Sequence, residues 1–206
     1  MQPLSDEQLH NLVERTVRQT LGGMMNPVTA PVPTPPEAPK PDMQISSTPV
    51  STTKRIVAIG TDHGGVDLKA VLKADLIDQG YEVIDCGTDT KEAVDYPDIA
   101  LAVSQLVASG KAWRGVVIDG AGIGSCMSAN KVPGVRAAMC YDISTALNSR
   151  EHNDANLLTL GAGLIGTALA KAILKTWLAT EFGGGRHAKR VEKIIAIEKS
   201  YLKEGK

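Results

Sequence analysis

From residue 54 onward the chain repeats one alternation: a short apolar run, a turn, then an amphipathic stretch. The runs are RIVAIG, YEVIDCG, GVVIDG, VRAAMC and NLLTLG. Each has the length and apolar content of a strand bounded by turn residues. Between them, DLKAVLKADLIDQG, IALAVSQLVASG and GTALAKAILKTWLA place apolar residues at helical intervals. Strands apolar on both faces and separated by helices fit a parallel sheet covered on each side, so the fold class expected is α/β. In such sheets ligands gather beyond the carboxyl ends of the strands, and the chemistry is sought there first.

The first 53 residues have a different texture. Leu9, Leu12, Val13, Val17 and Leu21 fall on one helical face, with Ser5 and Gln8 spaced as a capping box and Gly22 and Gly23 as a stop. So short a helix is marginal alone in water, and its apolar stripe calls for a partner. Pro27, Pro31, Pro33, Pro35, Pro36, Pro39, Pro41 and Pro49 then mark an extended, semi-rigid tether. Three regions are expected: an amphipathic helix over 1–22, a linker over 23–53 and a catalytic-sized domain over 54–206.

Several function classes are set aside by composition. A formal net charge of −1 gives no general pull toward nucleic acid or anionic lipid. Aromatic residues at 3% argue against a base-stacking surface. No apolar run is long enough to cross a bilayer, and the opening residues lack a secretory pattern. Cys86, Cys126 and Cys140 are odd in number and read as reduced cytoplasmic thiols, neither a disulfide frame nor a zinc site.

At the strand ends titratable groups recur. Asp62 and His63 follow the first strand. Asp119 and the turn GAGIG, with Gly120, Gly122 and Gly124, follow the third. REHNDAN, Arg150 to Asn156, precedes the fifth, and GGGRHAKR follows the last long helical stretch. Glycine turns that open helices present amides to anions, although tight strand-to-helix packing also asks for glycine. Asp62 has an ordinary reading as a helix cap, and Arg136 as a surface residue or a third cation. Arg186 and Arg190, four apart, would point the same way on a helix and grip one phosphate.

Taken together, TDHGG, VDYPDIA, GAGIG…SANKVPGVRAAMC, SREHNDANLLTLGAGLIG and FGGGRHAKRVEKI resemble the ribose-5-phosphate isomerase B family, which includes galactose-6-phosphate isomerase subunits. The resemblance is collinear over about residues 55–200. It implies a Rossmann-like three-layer α/β/α fold and a homodimer or dimer of dimers with shared active sites. It also implies aldose–ketose isomerisation of a phosphorylated sugar without metal or other cofactor. By the same resemblance Asp62 and His63 handle substrate hydroxyls and phosphate. His152 opens the sugar ring, Asn153 binds the enediolate, and Arg186 and Arg190 hold phosphate. Tyr96 lines the site, and Asn130 lies in the segment after the glycine turn.

One departure stands out. The family's cysteine base is Asp119 here, its threonine is Ala121, and the glutamate of another branch is Ser125. Asp119 is expected to replace the cysteine, its pKa raised by burial after GVVI, with turn amides standing in for the threonine hydroxyl. A catalytically silent, sugar-phosphate-binding relative is the alternative. The front end resembles an encapsulation peptide of bacterial microcompartments. It implies a shell protein as partner through residues 1–22 and a location in the microcompartment lumen.

Overall fold

The computed structural model describes residues 55–202, together with Glu7 and Arg15. The chain divides into two compact units, 1–49 and 50–206. Of the expected front-end helix only Glu7 and Arg15 are described; both are helical and exposed. The rest of that helix, and the whole Pro-rich tether, lie outside the described residues.

Five strands alternate with helices: β1 (Ile56–Thr61), α1 (Val66–Asp78), β2 (Glu82–Asp85), α2 (Tyr96–Ala108), β3 (Arg114–Asp119), α3 (Ile123–Ala129), β4 (Ala137–Met139), α4 (Ile143–Glu151), β5 (Leu157–Gly161), α5 (Thr167–Ala179) and α6 (Ala188–Tyr201). The sheet is wholly parallel, in the order β2-β1-β3-β5-β4. This is the Rossmann-like α/β/α arrangement expected. Each of the five apolar runs forms a strand; β1 extends one residue past its run, to Thr61, and β3 begins one residue before its run, at Arg114. The helix α4 was not among the helical stretches read from the sequence. Its mark is a capping box, in which the Asp142 carboxylate accepts from the Thr145 amide while the Thr145 hydroxyl accepts from the Asp142 amide.

Side chains alternate across a strand, so one apolar run feeds two cores. Val57, Ile59, Val116, Ile118, Leu158 and Leu160 pack with Leu72, Leu76, Ile173 and Trp177 on the side of α1 and α5. Ala58, Val117 and Leu157 pack with Ala100, Val103 and Val107 on the side of α2. Each fully buried Leu or Ile contributes about 1.5–3 kcal/mol. β3 is buried along its whole length, which makes it the centre of the sheet and sets its two ends as the rigid places to mount a site.

One charged group runs through this core. Lys69 on α1 is 1% exposed and ends between Asp85 and Asp89 at 2.8 and 2.7 Å. Burial opposes its charge, but the two carboxylates outweigh burial and raise its pKa. The ion pair ties α1 to the end of β2.

Candidate functional site

The polarity of the strands decides which residues can meet. β1 and β3 deliver Asp62, His63 and Asp119 at the carboxyl edge of the sheet. α2 starts there with Tyr96, and Pro97 presets its first turn. The glycine turn closes onto the same edge. Gly122 has φ 78°, a conformation that disfavours any side chain. Gly124 lies under Tyr96: a Cβ there would sit 2.6 Å from two of the ring carbons. Asp62, His63, Tyr96, Gly120, Gly122 and Gly124 thus share one edge, next to the boundary between β1 and β3.

REHNDAN lies elsewhere. α4 begins after β4 and runs back against the strands, so its end, His152 and Asn153, stands at the amino edge, where β5 begins. α5 returns in the same sense, and the Gly183 amide donates to the Glu151 carbonyl at 2.9 Å. The GGGRH turn and the start of α6 are therefore beside His152. Placing all the titratable clusters at the ligand-binding ends of the strands is corrected here: two of the four are at the opposite edge. β5 has five residues, which separates the edges by roughly 16 Å.

Two of the aspartates at the carboxyl edge have opposite fates. Asp119 is 4% exposed. One of its oxygens accepts from the Ala121 amide at 2.8 Å and from the Gly122 amide; the other accepts from the Ser125 amide at 2.9 Å and from the Ser125 hydroxyl. Burial pushes its pKa up, but the Ser125 hydroxyl and the turn amides outweigh burial, and the carboxyl lies below its ordinary range. The expectation of a raised pKa is overturned. So is the substitution of turn amides for the threonine hydroxyl, at least for Ala121, Gly122 and Ser125, because those amides point at Asp119 itself. Ser125 had no role in the sequence reading, and it is the partner that fixes this carboxylate. Asp62, 8% exposed, accepts from the Gly64 amide at 2.9 Å. It caps no helix: the residue before α1 is Gly65. Its second oxygen has no hydrogen-bond partner among the described residues. His63 accepts at Nδ1 from the Val94 amide at 3.4 Å, which leaves its Nε2 proton facing outward.

At the amino edge, side chains form the frame. Arg150, buried, donates to Asp154 at 2.8 Å and to the Ala155 carbonyl. Arg136 donates to the Asp154 carbonyl and carboxylate at 2.8 Å. Asp154 has φ 48°, a left-handed conformation that persists only where its surroundings over-determine it. Two arginines do so, and they set the direction of the preceding Asn153. Beneath them Arg114 lies between the rings of Trp113 and Trp177, 4.0 and 5.1 Å from their centroids, and donates to the last carbonyls of α5. Burial, then the neighbouring Arg150, lowers its pKa to about 10, so it stays a cation at neutral pH.

Two of the expected ligands, Arg136 and Asn130, are engaged within the fold. The Arg136 guanidinium is held by Asp154, and its own amide donates to Asn156. Asn130 staples the end of α3 to β4, donating to the Cys126 and Ala137 carbonyls and accepting from the Ala137 amide at 2.9 Å. Arg186 and Arg190 remain as phosphate candidates. Arg186 precedes α6 and lies in its entry turn, not on the helix as expected. Neither has an ion-pair partner among the described residues, and both are exposed. The Nδ1 of His152 is 2.8 Å from Asn148, and its ring stacks on that of His187. His187 was not singled out from the sequence.

A profile of the family described as Ribose/Galactose Isomerase matches residues 57–194. The Escherichia coli protein named ribose-5-phosphate isomerase B is 45% identical over 142 residues, 69% of this chain and 95% of that one. The D-erythrulose-4-phosphate isomerase of Pectobacterium atrosepticum is 44% identical over 139 residues, 67% of this chain and 91% of its own length. Among solved structures, ribose-5-phosphate isomerase B of Clostridium thermocellum is similar at 54% identity and a TM-score of 0.71, covering 71% of this chain and 99% of that one.

Proposed function

Since the chain belongs to the ribose/galactose isomerase family, as a sugar-phosphate isomerase of the ribose-5-phosphate isomerase B type, we propose that it interconverts the aldose and ketose forms of a four- to six-carbon sugar phosphate by enediolate proton transfer. The observation that carries this reading is the split of the candidate residues into two complementary half-sites. One, at the carboxyl edge, has a hydroxyl-binding acid and histidine beside a glycine cradle. The other, at the amino edge, has a histidine and an asparagine beside two arginines without an ion-pair partner among the described residues. A sugar phosphate is too short to span the sheet, so each half-site needs the other from a second copy of the chain. A homodimer with two shared sites, or a pair of such dimers, satisfies both.

In the assembled site Arg186 and Arg190 hold the phosphate, and their fork geometry suits its oxygens. His152 and Asn153 face the ring oxygen and the enediolate, and Asp62 and His63 bind hydroxyls. The base differs from the sequence-based expectation. A carboxylate whose acceptor positions are filled and whose pKa is depressed is a poor proton acceptor. Asp119 acts as the built-in anion that shapes the turn, and Asp62, with one oxygen unengaged, takes the proton between C1 and C2. No step in this scheme uses a metal, so dialysis against a chelator should leave the rate unchanged.

Solvent deuterium exchange into ribose 5-phosphate, erythrose 4-phosphate and allose 6-phosphate, followed by NMR, tests the assignment. Exchange by the native protein is lost in Asp62→Asn and persists, slowed, in Asp119→Asn. Loss only in Asp119→Asn, with the fold intact, returns the base to Asp119. Phosphate-dependent binding of these sugars without exchange by the native protein would leave a silent, binding relative.

We also propose that residues 1–22 deliver the domain to a microcompartment shell protein. The apolar stripe from Leu9 to Leu21 and the Pro-rich tether support this, and both lie ahead of the family match. Removal of residues 1–53 should leave turnover intact and abolish co-purification with shells. Co-purification of the truncated chain would end the packaging reading.

A further inference from the structure

His152 does not stand alone at the amino edge. It ends α4, and its ring is bounded on two sides. In the ring plane, the Asn148 amide nitrogen meets Nδ1 at 2.8 Å. An amide nitrogen only donates, so Nδ1 carries the lone pair and the proton sits on Nε2. On the ring face lies His187, with centroids 4.1 Å apart and planes within 4°.

His187 is itself held firmly. Gly184 and Gly185, at φ 59° and 52°, turn the chain back over the end of α4. The His187 amide donates to the Gly184 carbonyl at 2.9 Å, and its carbonyl accepts from the Arg190 and Val191 amides at 3.0 Å. Its Nε2 accepts from Arg186 Nε at 3.4 Å, an arrangement open only to the uncharged ring. The charged and titratable groups around it are His152, Arg186, Arg190 and Glu151. Slight desolvation, then the first three of these, lowers its pKa, while Glu151 opposes them.

We infer that His187 is a positioning residue for the reaction: its ring, stacked on His152, fixes the plane in which His152 presents Nε2 to the sugar ring oxygen. This rests on the isomerase reading above and adds a residue to it. Two contacts are needed because an in-plane bond to Asn148 alone leaves the imidazole free to swing about its Cβ. With His187 on its face the ring has one orientation. The stack requires a flat, uncharged ring at position 187 rather than a titrating one, so an aromatic hydrocarbon should serve there.

The experiment compares native protein, His187→Ala and His187→Phe. Histidine carbon–proton NMR reports the stack directly, through the upfield ring-current shift of the His152 ring protons. Ribose 5-phosphate kinetics report the consequence. With ribose 5-phosphate, His187→Ala loses the upfield shift and about 10²-fold in kcat with little change in KM, and His187→Phe recovers both. A raised KM with kcat intact, equal in the two variants, overturns the inference and makes His187 a phosphate ligand beside Arg186 and Arg190. An unshifted His152 spectrum in His187→Ala also overturns it. If the native protein neither exchanges nor isomerises the sugar, the isomerase reading itself fails, an outcome visible before any variant is made.

Discussion

The two edges of this sheet are built in opposite ways. At the carboxyl edge the supporting frame is mostly backbone: a glycine turn, one residue of it at φ 78°, whose amides converge on a buried carboxylate. At the amino edge it is side chain: Arg150 and Arg136 brace a loop that would not otherwise keep Asp154 at φ 48°. Backbone cradles recognise an anion or oxyanion by position and tolerate little substitution. Side-chain frames orient individual catalytic groups and are tuned one residue at a time. The shared site proposed above would join the two kinds of precision, one from each chain.

The sharpest test of that division is genetic complementation in solution. Asp62→Asn disables the carboxyl edge and His152→Asn the amino edge, and each alone loses about 10²–10⁴-fold in kcat, as expected for proton-transfer residues. Chains carrying one lesion each, co-expressed and randomly paired, give about half mixed dimers with one intact site of two, hence about a quarter of native activity. Failure to recover activity, with mixed dimers demonstrated by mass, would show that each site is built within one chain and would collapse the comparison.

Next in size is the loss of the carboxylate that organises the turn. Asp119→Ala leaves three amides and the Ser125 hydroxyl without their acceptor in a buried place, costing about 3 kcal/mol and lowering the thermal midpoint by about 6–12 °C. Because the folded pKa of Asp119 is depressed, this stability is fully present above the unfolded carboxyl value near ~4. It disappears as pH falls through the lower folded value. The gap between native and Asp119→Ala midpoints therefore narrows in acid; a gap constant from pH 7 to pH 2 would assign the loss to packing rather than to the charge.

The contrast also explains what could be read in advance. Period and apolar content revealed every strand, because β1, β3 and β5 are buried on both faces and admit few polar residues. The resemblance supplied the chemistry of His152 and Arg190. Neither could show that α4 and α5 carry their ends to the amino edge, since chain direction is a property of the sheet and not of a motif. Nor does a lone aspartate after GVVI announce whether its oxygens will face solvent or its own turn; Ser125, six residues on, decides that through a contact no short pattern encodes. His187 was hidden for a similar reason: in RHAKR it reads as one more residue of a polar helix start, and only the backbone reversal at Gly184 and Gly185 lays it on His152.

A smaller effect separates steric fit from catalysis at the carboxyl edge. Gly124→Ala drives a methyl group to within 2.6 Å of the Tyr96 ring. Tyr96 is 40% exposed and can swing away, so the fold should keep its stability to within about 0.5 kcal/mol. Turnover per substrate bound should fall about 10-fold as the wall of the site shifts. Unchanged kinetics would remove Tyr96 from the site.

The smallest expected change tests the amino edge's own distinction between frame and ligand. Arg136 and Arg190 are both cations within reach of the loop, yet only Arg136 has its guanidinium engaged, by the carbonyl and carboxylate of Asp154. Arg150 holds the other carboxylate oxygen and would keep Asp154 in place without it. Arg136→Gln should therefore cost about 1 kcal/mol of stability and alter KM for a sugar phosphate by less than about 2-fold, since no phosphate contact is lost. Arg190→Gln should do the reverse, raising KM about 10-fold at constant stability. If Arg136→Gln raises KM as far as Arg190→Gln does, the guanidinium leaves Asp154 when substrate arrives, and the frame of the amino edge is itself part of the phosphate site.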